Sequence, residues 1–156
     1  MKHKKRIAIT FLIVAAGCVL GMFYFSNQNG DTSHGLSYDI VLHILKWLSI
    51  DPDETITAMD LCDFVVRKIA HFTEYTVLGI GLCGLMRVLV KRYWGIAAIV
   101  LGAVLASLDE FHQLFIPGRS AMVGDVVIDI CGVVVGSIIF TLIILLQEKK
   151  RWNSKK

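Results

Sequence analysis

VVIDICGVVVGSIIFTLIILL, residues 126–146, carries one charged side chain, Asp129, in an otherwise apolar run. As an α-helix rising about 1.5 Å per residue, it spans about 30 Å, the thickness of a bilayer's hydrocarbon core. Working outward, three more such runs appear. Residues 7–25 carry no charge; residues 69–90 carry His71, Glu74 and Arg87; residues 93–108 carry none. The chain has 156 residues, is 55% hydrophobic and only 19% charged, and has a mean hydropathy of +0.64. A soluble domain of this length is not normally so apolar. The expectation is an all-α, polytopic integral membrane protein. Four transmembrane helices form one domain over residues 1–156.

Charge placement orients these spans. Lys2, Lys4, Lys5 and Arg6 precede the first, and Arg87, Lys91 and Arg92 lie around the turn between the second and third. Lys149, Lys150, Arg151, Lys155 and Lys156 follow the fourth. With four spans these places share one side, and they hold twelve of the 16 Lys and Arg residues. The positive-inside rule makes that side, with both termini, cytoplasmic. Basic clusters of this kind set topology and touch anionic lipid, so no nucleic-acid partner is expected.

The four cysteines form no CxxC pattern and no disulfide framework is expected. KHKKR, an apolar run and AAGC at residues 15–18 resemble a lipoprotein signal ending at Cys18. The apolar run continues past Cys18, which favours an uncleaved anchor.

Residues 26–35, SNQNGDTSHG, read as an outer loop. Residues 36–50 read as an amphipathic helix. Leu36, Ile40, Val41, Ile44, Leu45, Trp47 and Leu48 occupy one half of its wheel, and Asp39, His43, Lys46 and Ser49 the other. Such a helix lies on the outer interface or packs against the spans. Asp51-Pro52 then offers a cap with Pro at the first helical position, and a new helix leads into the second span, with room for a bend.

The ionisable residues inside the spans are not scattered. Arg67, Lys68, His71, Glu74 and Tyr75 share one face of the second span. At the end of the third, Asp109 and Gln113 are four residues apart, flanked by Glu110 and His112. At the start of the fourth, Asp125 and Asp129 lie in line with Gly132 and Gly136, a GxxxG spacing that lets another helix approach closely. Topology brings all three stripes to the outer side. One charge at a span centre costs about 2.5–3.5 kcal/mol, so several together must face each other or a wet cavity. The expectation is a polar pocket opening outward. It gathers Lys68, His71, Tyr75, Asp109, Glu110, Gln113, Arg119, Asp125 and Asp129. Arg119 is expected to pair with Asp109, Glu110 or Asp125. A structural network joining the helices is the plainer reading of the same residues.

These residues resemble the VanZ-like membrane protein family. Its pattern is a basic residue and then HFxxYxxLG, here Lys68 with His71, Phe72, Tyr75, Leu78 and Gly79. DExxQ follows, here Asp109, Glu110 and Gln113, then a loop Arg (Arg119) and an Asp opening the last helix (Asp125). Ser26 and Gln28 resemble the family's Ser-x-Gln stretch after the first span. Asp129 departs from the pattern, which often has Asn there. The resemblance implies a bacterial cell-membrane protein and a possible link to resistance against the glycopeptide teicoplanin; it supplies no reaction.

Two functional classes stay open. One is a non-catalytic envelope protein whose pocket holds the head group of a membrane lipid or a lipid-linked cell-wall component. The other is an intramembrane enzyme acting on such a substrate, with His71, Glu110 or Asp109 as general acid or base. A hydrolytic metal centre would draw on His71, Glu74, Asp109 and His112. No ligand spacing such as HExxH is present, so no metal or other cofactor is expected.

Overall fold

The computed structural model describes residues 2–49, 56–90, 92–119 and 121–154. They form five helices: α1 (Lys2–Ser26), α2 (Gly30–Trp47), α3 (Ile56–Leu89), α4 (Trp94–Gln113) and α5 (Val123–Asn153). No strand occurs among the described residues. The segments Lys5–Ser26, Met59–Leu89, Trp94–Gln113 and Val123–Asn153 are long and apolar enough to cross a membrane. Each expected span lies within one of these helices, apart from Val90 and Tyr93, which fall just outside them.

α3 is the axis of the bundle. It touches each of the other four helices, and its most extensive contact is with α5. Glycine makes that contact possible. A Cβ on Gly136 would lie 2.1 Å from the Thr76 carbonyl oxygen, and one on Gly132 would lie 2.7 Å from that of Phe72. From the other side, a Cβ on Gly79 would lie 2.5 Å from the Val133 carbonyl oxygen. Lipid tails are as apolar as the side chains, so close packing, not removal of apolar surface from water, holds such helices together. Tyr75, Leu78, Cys83, Ala98, Ala106 and Val133 fill the centre, while Leu12, Leu20, Val100, Leu142 and Leu146 point outward from the bundle. All four cysteines are free, and α1 runs unbroken through Cys18.

One expectation changes. Residues 30–35 are helical, so the loop after α1 shrinks to residues 27–29. The cause is tertiary: the Gly30 N–H donates to the Pro117 carbonyl at 3.1 Å, and the helix starts against the 114–119 loop. A Cβ at Gly30 would lie 2.1 Å from the Gly118 carbonyl oxygen, and Gly118 itself has φ +75°. Both positions therefore need glycine.

The amphipathic helix packs on the first half of α3 through a narrow stripe. Ser37 and Val41 are buried there, and Ser37 bonds to Asp63. Its apolar face is only partly used: Leu36, Ile40, Ile44 and Trp47 stay exposed.

The helix entering the second span continues into it without interruption, so the described part of α3 is one 34-residue helix. The proposed Asp51-Pro52 cap and Ile50 lie outside the described residues.

Candidate functional site

The last turn of α4, the start of α5 and the middle of α3 meet at one end of the bundle, as the three polar stripes require. Asp109 and Asp129 are fully buried there, and Glu110 and Gln113 nearly so. His71 reaches from α3 to place Nδ1 3.7 Å from Asp129 Oδ1. One ligand-type atom from each of His71, Asp109 and Asp129 lies within 4.8 Å of the other two. The Tyr75 side chain is buried beside them and its hydroxyl has no hydrogen-bond partner. Gly132 permits this, since a Cβ there would stand 3.0 Å from the Tyr75 Cβ.

The other expected residues frame this group. Gln113 Nε2 donates to Asp109 Oδ2 at 3.2 Å, one turn back on the same helix. Glu110 Oε2 accepts the Met122 backbone N–H at 3.0 Å, tying the end of α4 to the residue that starts α5. Lys68 pairs with Asp125, which sits in the first turn of α5, where a helix favours negative charge. Lys68 also lies 4.9 Å above the Phe64 ring.

Arg119 corrects the expected carboxylate pairing. Its Nε donates to the Gln28 carbonyl at 3.1 Å and its second terminal nitrogen to the Phe25 carbonyl at 2.9 Å. The guanidinium fork bridges two carbonyls where the chain leaves α1, that of Phe25 in its last turn and that of Gln28 in the loop that follows. Among the described residues no carboxylate lies within ion-pair distance of Arg119. Burial lowers its pKa from the ordinary value, and the nearby Asp109 charge opposes that shift.

His112 turns away from the acids. Its Nε2 meets Asn27 Oδ1 at 3.0 Å, and its ring stands edge-on to Phe23. Glu74 faces α1 opposite Gly21. These two therefore drop out of the four residues considered for a metal centre, and Asp129 joins the remaining pair. No spacing rule reveals this set, because its members come from three different helices. The Ser-x-Gln stretch does reach the site: Ser26 lies beside Asp109, and the Gln28 carbonyl holds Arg119.

Two cavities meet at His71. A cleft of about 790 Å³ runs between α1 and α3. Its walls are apolar around Ile13, Val14 and Val77, and its other half, toward the 114–119 loop, carries Arg67, His71, Glu74, Asp109 and Arg119. Leu36, Ser37 and Ile40 of α2 close over that half. A smaller chamber of about 210 Å³ lies among Lys68, His71, Gln113, Arg119 and Asp125. Arg67, His71 and Arg119 line both.

Four membrane-length helices with a buried polar group at one end define a polytopic α-helical membrane protein. Within that class the chain belongs to the VanZ/LLP1 family, whose model matches residues 11–145. No curated protein and no solved structure matches it.

Proposed function

We propose that this VanZ-like protein binds the head group of a membrane lipid or a lipid-linked cell-wall component at the outer leaflet, and so alters how a bacterial envelope meets glycopeptides such as teicoplanin. The observation that carries this reading is the cleft between α1 and α3. It is apolar toward one end and polar toward the other, the pattern of an amphiphile. Arg67 and Arg119 at that end suit a phosphate, and Glu74 suits an amine or a bound cation. The basic segments at the opposite end of the bundle support placing the cleft's polar end outside, with both termini cytoplasmic.

The test is lipidomics and cell-wall precursor analysis of cells with and without the protein, alongside identification of amphiphiles that co-purify with it. A bound amphiphile lost in Val77→Trp, which fills the cleft, together with unchanged lipid and precursor inventories, supports binding. A new lipid or precursor species overturns the non-catalytic reading and favours the enzyme, with His71 or Asp109 moving the proton. Absence of any bound amphiphile overturns the cleft as a binding site.

A further inference from the structure

The buried group has a charge imbalance that the protein does not resolve by itself. Asp109 and Asp129 are both 0% exposed. Neither oxygen of Asp129, nor Oδ1 of Asp109, nor the Tyr75 hydroxyl, nor Nδ1 of His71 has a hydrogen-bond partner. Buried polar atoms are rarely left unpaired, and a buried carboxylate without a counter-charge is costly. Among the described residues, the neighbouring Lys and Arg side chains are engaged elsewhere. Lys68 is on Asp125, Arg67 is on Asp63, and Arg119 is on the carbonyls of Phe25 and Gln28.

We propose that His71, Asp109 and Asp129 form a binding site for a divalent transition-metal ion, of the zinc or manganese type. Two carboxylates match a double positive charge. An imidazole nitrogen in the set argues against magnesium and calcium, which take oxygen, and the absence of a thiolate argues against soft ions. Tetrahedral bonds of about 2.1 Å put ligand atoms about 3.4 Å apart. The 3.7 Å between His71 and Asp129 is already near that, and the rest of the group, within 4.8 Å, closes on an ion by at most about 1.4 Å.

Gln113 holds Oδ2 of Asp109 and leaves Oδ1 without a partner, as a hydrogen-bonded metal-ligand carboxylate would be held. Three protein ligands leave at least one coordination position open. The two cavities that meet at His71 give the ion a way in and give that position a neighbour. The site does not depend on what the cleft holds.

The test uses the full chain purified in detergent without a polyhistidine tag, titrated with zinc or manganese alone and assayed by metal analysis and calorimetry. The expected result is one saturable ion per chain. Asp129→Asn and His71→Gln should each weaken binding by at least about 100-fold, and Gln113→Leu by about 10–100-fold. His43→Gln and His112→Gln should bind as the parent does. If Asp129→Asn does not fold, cobalt substitution in the parent and in His71→Gln decides, because loss of a nitrogen ligand changes the visible spectrum. No binding to the parent, or equal binding by His71→Gln and the parent, would overturn the site.

Discussion

Arg119 illustrates how a single residue serves a polar region without pairing with its acids. It lies close enough to Asp109 and Glu110 to feel their charge, yet its donors go to two carbonyls at the end of α1. A planar fork reaches both at once, whereas a lysine ammonium on a flexible stem cannot reproduce the pair. Arg119→Lys should therefore lower stability by about 1.5–3 kcal/mol, the scale of one charge-assisted hydrogen bond. The thermal unfolding midpoint in detergent reads this directly. An unchanged midpoint would mean that these bonds do not hold the 114–119 loop to α1. Lys68 and Asp125 behave as the sequence suggests polar neighbours should, because their stripes face each other across α3 and α5. His112 does not, because its ring is held at the end of α1, with Nε2 at Asn27 and its edge against Phe23.

Among the elements, the α3–α5 pair decides the geometry of the site. Asp129 is one helical step from Gly132, and Gly132 lets α5 come against the backbone of α3 at Phe72. Spacing these helices farther apart would carry Asp129 away from His71. Gly136→Ala should be the harsher test of the crossing, because its Cβ would lie 2.1 Å from a backbone oxygen, against 2.7 Å at Gly132. Overpacking of this kind costs about 1–3 kcal/mol. Expected outcomes are a lowered unfolding midpoint and weakened metal binding, although Gly136 touches no ligand atom. Full metal affinity in a destabilised Gly136→Ala protein would show that the crossing and the site are independent. α2 makes a different point. Its amphipathic pattern marks the helix plainly, but only Ser37, Val41 and their neighbours are used against α3. Its start at Gly30 depends on a loop more than eighty residues later in the chain.

At the scale of the whole molecule, the two ends of the bundle differ in chemistry. One gathers the buried acids and the 114–119 loop. The other carries most of the basic residues and the Arg87–Glu148 pair at 2.9 Å. The proposed orientation predicts that, in a cysteine-free background, Ala121→Cys reacts with an impermeant maleimide in intact cells. Ser154→Cys should react only after permeabilisation. The reverse pattern would place the polar site on the cytoplasmic side and remove the outer-leaflet reading.

Hydropathy and spacing alone determined the four spans, the amphipathic helix, and the convergence of three polar stripes at one end. These follow from bilayer thickness and helical periodicity, which are local properties of a chain. Which polar groups touch was decided only by the tertiary structure. A helical wheel reports the direction of a side chain about its own axis, but not the depth or crossing angle of a neighbour. Thus Arg119 reads as a carboxylate partner until the end of α1 is seen beside it. Asp129 reads as one acid among five until the glycine contact with α3 brings it to His71 and Asp109.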